Sequence, residues 1–261
     1  MRYFRLLKTF YKNAILAELE YRANFFVNIV TNLFWLSWSV IGLQVFFNHT
    51  DQIGGWTYDE ALVVIGVFNV AFGFMEAFLT PNIVEIGNQV RLGTLDFVLT
   101  KPINSQFMVS MRTMVFWKIS DMLLGLGIIA IALLRQHAPL TFAGVLVFAV
   151  LMVCAAVMLY TVSFLLVTTA FWFVRVDNIL EVFNAFIEAG RYPITVYRGA
   201  VRVLLTFFVP IAFITTIPAS ALIDKLDPIY ALYSVLFAAG LFLFSAWFWR
   251  FALRFYTSAS S

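Results

Sequence analysis

Charged residues are scarce in this chain of 261 residues, where Asp, Glu, Lys and Arg together make up only 12%. Hydrophobic residues make up 62%, and the mean hydropathy is +0.92. A soluble domain of this size has too little interior to hide so much apolar surface. The composition therefore excludes a water-soluble globular domain and indicates a membrane protein.

Cysteine and histidine are also rare, with one cysteine and two histidines. Cys154 alone cannot form a disulfide within the chain or a metal site built from several cysteines. We find no cluster of His, Cys and carboxylates at metal-ligand spacing, no G-x-x-x-x-G-K-[ST] phosphate loop and no G-x-S-x-G elbow. The sequence therefore predicts no catalytic residue, metal or cofactor on this chain, and no nucleic-acid partner.

The abundant apolar residues form continuous runs without the alternation of a barrel strand. Since lipid offers no hydrogen-bond partner to a bare backbone, such runs must be helices. We expect an all-α polytopic protein with six transmembrane helices. Five of the runs lie at about residues 23–47, 61–79, 115–134, 141–173 and 230–251.

Residues 1–22 predict an amphipathic helix that lies in the membrane interface. Apolar residues recur at steps of four and three, and basic residues fall on the other side. The apolar positions are Tyr3, Leu7, Phe10, Ala14, Ala17 and Tyr21, and the basic ones are Arg2, Arg5, Lys8 and Lys12. Residues 23–261 would then form the transmembrane domain.

The basic residues also predict the orientation, because Lys and Arg are enriched in cytoplasmic loops. With both termini in the cytoplasm, 12 of the 17 basic residues are cytoplasmic, and the loops at 49–60 and 135–140 contain one Arg between them. The 12 are Arg2, Arg5, Lys8, Lys12, Arg22, Arg91, Lys101, Arg112, Lys118, Arg175, Arg250 and Arg254. This arrangement places residues 81–102 in the cytoplasm.

The apolar stretch at 179–219 is interrupted by charges and prolines and allows two arrangements. In the first, residues 175–199 stay cytoplasmic and Val203 to Ala219 form the fifth span, which the distribution of basic residues favours. In the second, Asn178 to Ala189 form a short fifth span, and residues 191–219 fold back as a re-entrant pair of helices. Irregular backbone at membrane depth is tolerated where protein surrounds it.

The segment at 81–102, PNIVEIGNQVRLGTLDFVLTKP, is too polar to span a bilayer. It predicts a short amphipathic helix with an apolar face of Ile83, Ile86 and Val90 and with Glu85, Asn88, Gln89 and Arg91 on the opposing faces. Gly93 is suited to end this helix in a left-handed turn. A second turn can follow at Leu95 to Thr100, closed by Pro102. Such a segment is either a protein-contact surface or a helix resting on lipid head groups.

Two stretches of this sequence resemble permeases of the ABC-2 transporter family. RLGTLDFVLTKPINSQF, residues 91–107, is similar to the family's G-T-L-[ED]-x-L-L-x-x-P stretch, and more closely to a branch that reads G-x-L-D-x-x-L-x-K-P. Residues 190–222, GRYPITVYRGAVRVLLTFFVPIAFITTIPASAL, resemble the Y-P-x-x-[IV]-[FY] segment of that branch. Val98 departs from the first Leu of the family's pair.

The resemblance implies a permease subunit of an ATP-driven exporter in the bacterial inner membrane. Two ABC ATPase subunits, which would bind ATP and Mg, and a second permease, homologous or identical, would be its partners together with membrane lipids. Residues 81–102 would be the coupling helix, and residues 191–219 the re-entrant pair, which we adopt against the distribution of basic residues. ATPase-coupling residues would be Glu85, Arg91, Gly93, Thr94, Leu95, Asp96, Leu99, Lys101 and Pro102.

Polar residues within or near the spans are candidates for the substrate path, because burying them in lipid is costly. These candidates are Asn28, Asn32, Asn69, Phe72, Glu181 and Glu188. Interhelical hydrogen bonding and packing are the alternative roles for the asparagines and Phe72. Glu181 and Glu188 lie two turns apart on one helix face, where they would attract a cationic substrate. Lys118 and Asp121 are spaced for a local ion pair.

The substrate class stays open at this stage, since a lipid, glycolipid, drug or peptide would all suit an apolar path. Two other functions also fit an apolar polytopic chain. One is an ion- or proton-coupled secondary transporter that uses Asp121 and the two glutamates. The other is a membrane scaffold that transports nothing.

Overall fold

The computed structural model describes residues 2–19, 22–136, 141–173 and 177–256. These residues are largely helical and contain no β-strand, so the predicted all-α class is confirmed. Tyr21, His137 and Arg175 lie outside the described residues, and the side chain of Ala17 is not described.

The described residues contain eleven α-helices. Tyr58–Arg91 is counted as one helix, and the two halves of the bent pair before the last span are counted as two. They are α1 (Arg2–Leu19), α2 (Arg22–Phe47), α3 (Tyr58–Arg91), α4 (Asp96–Leu99), α5 (Ser105–Ser110), α6 (Ile119–Gln136), α7 (Phe142–Thr168), α8 (Asp177–Glu188), α9 (Gly199–Phe208), α10 (Ala212–Leu222) and α11 (Pro228–Ala252). Five of them, α2, α3, α6, α7 and α11, are long and apolar enough to cross a membrane. The chain is therefore a multi-pass membrane protein.

The helices run between two ends of one bundle. The Trp56 end holds the 48–57 loop, and there the first turn of α3 is tied to α6 by the ion pair of Asp59 with Arg135, 3.2 Å apart. The Val98 end holds residues 92–113, and there α11 is attached by the indole of Trp249, which donates a hydrogen bond to Ser105 Oγ at 3.1 Å. These two ends define the direction along which the positions of other side chains in the bundle are described.

Helix α3 is longer than the sequence predicts. The expected span at 61–79 and the expected short helix after Pro81 are one helix of 34 residues, about 50 Å long, which exceeds the apolar thickness of a bilayer, about 30 Å. A π-helical turn at Met75–Leu79 precedes the proline. Pro81 has no N–H for the carbonyl of Ala77, and Val115 N donates to that carbonyl instead, at 2.8 Å. The proline is thus accommodated without a break.

Helices α3 and α6 form the closest pair in the bundle, because glycines face each other across their contact. A Cβ on Gly125 would lie 2.6 Å from the carbonyl oxygen of Gly66, so only glycine allows this approach. Helix α7 packs against α10 and α11, and its buried face includes Leu151, Met158 and Phe164. Helix α2 is mostly exposed along its length.

The interrupted stretch begins with α8, which is followed by short 3-10 turns at Ala189–Arg191 and Ile194–Val196. Leu180 packs on the apolar cluster at the Val98 end. Thr195 reaches the Trp56 end, where its Oγ1 would lie 2.7 Å from a Cβ placed on Gly54. Helix α8 and its two turns therefore carry the chain across the bundle.

Helices α9 and α10 then form a pair bent by 69° at residues 209–211, where Pro210 cannot donate to the preceding turn. Thr195 before this pair and Lys225 after it both contact the 48–57 loop, since Lys225 Nζ lies 3.0 Å from the carbonyl oxygen of Gly55. Both ends of the pair thus lie at the Trp56 end. This geometry favours the re-entrant arrangement over a fifth span at Val203 to Ala219.

Candidate functional site

The apolar side of the 81–102 segment packs against other parts of the protein and does not face lipid alone. Ile83 and Ile86, from the predicted apolar face, are buried and pack in one cluster with Leu95, Val98 and Trp249. The apolar face of this segment therefore belongs to the core at the Val98 end. A helix lying only on head groups would leave those side chains facing acyl chains.

Gly93 ends α3 with a φ of +66°, as the sequence predicts. The N–H of Thr94 donates to the carbonyl oxygen of Gln89 at 3.0 Å, and α4 starts three residues after Gly93. Gln89 does not follow the prediction, because it is buried and does not lie on an exposed polar face. Its amide donates to Glu85 Oε1 at 2.8 Å, one turn earlier on the helix.

Asn82 fixes the segment to the chain that follows it, and sequence reasoning missed this residue. Its side-chain oxygen accepts from the backbone N–H groups of Arg112 and Thr113, both at 3.0 Å. Its amide donates to the carbonyl oxygens of Thr113 and Phe78 at 2.8 and 2.7 Å. An asparagine directly after a helix proline was the available signal, but its partners Arg112 and Thr113 lie about thirty residues away.

The outward surface of the segment mixes charge with apolar side chains. Glu85, Arg91, Lys101 and Pro102 are exposed, Gly93, Thr94, Asp96 and Leu99 are half-buried, and Leu95 is buried. The predicted coupling residues therefore divide into a solvent-facing set and a supporting set. Leu92 and Phe97, which were not predicted, are apolar and expose 61% and 74% of their surfaces.

Two aromatic residues near the ends of the described chain pack close to this surface. Tyr3 of α1 packs edge-on against Phe107, with ring centroids 4.8 Å apart. Tyr256, just after the last span, packs on Phe171, and both burial and the nearby carboxylate of Asp96 raise the pKa of its phenol. Both ends of the described chain therefore lie close to this surface.

A polar cavity of about 660 Å³ lies between α2 and the α3–α6 pair. Five of the six predicted path residues line it, namely Asn28, Asn32, Asn69, Phe72 and Glu188. Phe68, in its wall, lies ten residues into α3, about 15 Å from the start of that helix and hence near the middle of a bilayer. The cavity therefore extends from mid-membrane depth toward the Val98 end.

The part of the cavity nearer the Val98 end contains a series of polar contacts. Asn32 of α2 donates a hydrogen bond to Asp121 of α6. Lys118 lies 4.0 Å from Asp121, the ion pair that the spacing predicts, and 3.8 Å from Glu76. These contacts join α2, α3 and α6 at one level.

The part of the cavity nearer the Trp56 end contains Arg191, which follows α8 and contacts several neighbouring side chains. Its guanidinium is paired with Glu188, donates to Ser39 Oγ at 2.6 Å and lies 5.1 Å above the ring of Phe68. Arg191 and Ser39 were not predicted as lining residues. Their contact is a second polar link between α2 and the rest of the bundle.

Glu181 is not part of this cavity. It is exposed and lines a separate pocket with Thr80 and Asn184, so the two glutamates of α8 do not converge on one site. Glu188 is already neutralised by Arg191. Within the described residues, no group of three or more His, Cys, Asp or Glu side chains could hold a metal ion.

The cavity can hold a ligand that is apolar over most of its surface and polar at a few points. Trp35, Trp38 and Tyr192 add aromatic surface to its walls, and the two ion pairs supply charges of both signs. Such a lining is typical of small-molecule sites.

Comparison with known families identifies a related family. The model of a family described as "ABC-2 family transporter protein" matches residues 33–260, which include most of α2 and all later helices. No curated protein and no solved structure matches the chain.

Proposed function

The chain belongs to the ABC-2 transporter family, and from that membership we propose that it is the permease subunit of an ATP-driven exporter in a bacterial inner membrane. The observation that carries the proposal is the surface of residues 81–102 at one end of the transmembrane bundle. This surface combines exposed charges with exposed Leu92 and Phe97 on a well-packed support. Buried apolar anchors beside charges are typical of protein interfaces.

In the proposed mechanism, two ATPase subunits bind ATP and Mg and close on each other. Their movement reaches the permease through the 81–102 segment. Because α3 is one helix from Tyr58 to Arg91, a displacement of its last turns is transmitted along the same helix to the cavity. The close contact of Gly66 with Gly125 makes α6 move with α3.

The second permease is proposed to cover the exposed face of α2. That face carries large apolar side chains, among them Val30, Phe34 and Ile41, which exceed half exposure. The polar cavity lies directly behind this helix. Two permeases that meet through α2 would therefore enclose a substrate path between their cavities.

An amphipathic molecule is the proposed substrate, because the cavity offers aromatic walls and a few ion-paired charges. Lipids, glycolipids, drugs and peptides of this character all meet that description. The cytoplasm or the inner leaflet would be the side of uptake.

The first experiment is co-expression of the chain with each candidate ABC ATPase subunit from the same genome, followed by purification through a tag on the permease. We expect the two chains to elute together and ATP hydrolysis to drive uptake of a fluorescent amphiphile into inverted vesicles. Elution of the permease alone, with uptake indifferent to ATP, would contradict the proposal.

A proton-coupled transporter is the second candidate, favoured by one observation. Asp121 is buried at the cavity beside Lys118 and Asn32, a setting typical of intramembrane proton sites. Vanadate separates the two candidates, because it inhibits ABC ATPases but not proton coupling. Transport that survives vanadate and stops with an uncoupler would support this second function.

A further inference from the structure

A second large opening lies at the Trp56 end, away from the polar cavity. It is a groove of about 560 Å³ between the two arms of the bent pair, α9 and α10, and the first turns of α11. Its volume falls within the range of ligand sites, about 300–1,000 Å³. Phe207 of α9 and Phe213 and Ile217 of α10 supply apolar walls.

The mouth of the groove carries an arginine that no carboxylate neutralises. Arg202 is exposed, and among the described residues it forms no ion pair. The other two charged residues of the lining already have partners. Lys225 is paired with Glu60 at 2.7 Å, and Asp227 Oδ1 accepts from the N–H of Ile229 at 3.0 Å. Arg202 is therefore the cation of the lining that is left for an anionic ligand.

The level of this mouth matches the head-group region of a bilayer. Trp56, Tyr230 and Tyr233 line the groove near Lys225, and such aromatic and basic residues gather at membrane interfaces. Phe207 in the wall of the groove and its neighbour Phe208 expose 62% and 76% of their surfaces. An acyl chain can thus enter sideways from the membrane while a head group stays at the mouth.

We propose that the groove binds a phospholipid of the surrounding bilayer, with its phosphate on Arg202 and one acyl chain between α9 and α10. A guanidinium recognises a phosphate through charge-assisted, often bidentate hydrogen bonds. The acyl chain covers apolar walls that would otherwise leave a gap between the arms. This site is independent of the proposed transport activity, and it would persist in a chain that exported nothing.

The test uses the full chain in nanodiscs of phosphatidylcholine that contain a small fraction of phosphatidylglycerol with a photoreactive diazirine on one acyl chain. After illumination, the attachment sites are mapped by mass spectrometry. We expect labelling to concentrate on residues 203–217. Arg202→Gln should reduce it about tenfold, the loss expected for one charge-assisted hydrogen bond.

Arg198→Gln is the matched control, because Arg198 is an exposed arginine four residues earlier that does not line the groove. It should label like the unmodified chain. Thr206→Trp should block the groove and reduce labelling although Arg202 is kept. A diacylglycerol that carries the same diazirine but no phosphate should label residues 203–217 weakly in every variant.

Equal labelling in the unmodified chain and in Arg202→Gln would overturn the proposal, as would equal labelling by the two lipids. Labelling spread evenly over the exposed faces of α2 and α11 would also overturn it, because it would indicate only general contact with the bilayer. A single elution peak for each variant, at the position of the unmodified chain, verifies that the comparison is made between folded proteins.

Discussion

Gly66 of α3 and Gly125 of α6 touch through their backbones, with no room for a side chain on either. A Cβ on Gly125 would lie 2.6 Å from the carbonyl oxygen of Gly66 and 2.9 Å from the nitrogen of Val70. Since both neighbours are backbone atoms, they cannot move aside as a flexible side chain would. The two helices therefore depend on these glycines for their separation.

We expect Gly125→Ala to destabilise the protein by about 1–3 kcal/mol through overpacking. Gly127→Ala is the control on the same helix, because a Cβ there meets nothing within 4 Å. That control should be neutral or slightly stabilising, since alanine favours helix. Thermal unfolding of the two variants in one detergent gives the comparison, and equal midpoints would contradict the close contact.

Asn82 should be essential for the order of residues 92–113. Its side chain satisfies two backbone N–H groups and two carbonyl oxygens, and it is 2% exposed. Asn82→Ala would leave those groups unpaired, at a cost of about 1–3 kcal/mol for each buried group. We expect faster hydrogen exchange at Arg112 and Thr113, with the spans unaffected.

Asn88→Ala serves as the comparison for Asn82→Ala, because Asn88 is half-buried and its side-chain oxygen accepts a single hydrogen bond, from Arg91 at 3.0 Å. Exchange at 92–113 should change little in that variant. If both variants accelerate exchange to the same extent, the side-chain hydrogen bonds of Asn82 do not hold the segment.

Much of the 81–102 segment follows from local sequence, and its surroundings do not. A glycine suited to a left-handed turn, apolar residues at helical spacing and a proline after a short turn are local signals, and Gly93, Ile83 and Ile86 follow them. The continuity of α3 through Pro81 depends on Val115, far along the chain, which bonds the carbonyl that the proline leaves free. No local pattern contains that information.

The cavity divides in the same way. The ion pair of Lys118 with Asp121 follows from their spacing on one helix. The contact of Arg191 with Ser39 joins residues 152 positions apart and needs the fold to be known. Glu181 was assigned to the path because it shares a helix face with Glu188, yet the bundle leaves it in another pocket.

The proposed coupling surface predicts that charge reversal separates ATP hydrolysis from transport. Arg91→Glu and Asp96→Arg alter an exposed and a half-buried side chain, so we expect both variants to fold. Transport per ATP hydrolysed should fall severalfold, or the ATPase should be lost on purification, because a reversed charge places like charges against each other at the interface and costs affinity. Arg254→Glu, an exposed reversal outside 81–102, should keep transport and hydrolysis coupled. Full coupling in all three variants would remove the segment from the mechanism.

Glu188 should affect transport through the charge of Arg191. Glu188→Gln removes the partner of a half-buried guanidinium and leaves the cavity one unit more positive. A charge about 4 Å from a ligand contributes on the order of 4 kcal/mol at an effective dielectric constant near 20. We expect a higher KM for a cationic fluorescent amphiphile and a lower KM for an anionic one.

Glu181→Gln is the control for Glu188→Gln on the same helix, because Glu181 lies outside the cavity. Its KM values should match those of the unmodified chain for both amphiphiles. A selective loss of cation transport in Glu181→Gln would instead place this residue on the path.

The re-entrant arrangement predicts opposite accessibility for Arg198 and Phe97. Cys154 is buried, so Cys154→Ala gives a background without native thiols, and Arg198→Cys and Phe97→Cys each add one exposed thiol to it. Arg198 lies between Thr195, which contacts the 48–57 loop, and the bent pair, whereas Phe97 lies at the Val98 end. A membrane-impermeant maleimide should label Arg198→Cys in intact cells and Phe97→Cys only in inverted vesicles. Labelling of both from the cytoplasmic side would mean that residues 199–222 cross the membrane as a broken span, because Arg198 would then share the side of the 81–102 segment.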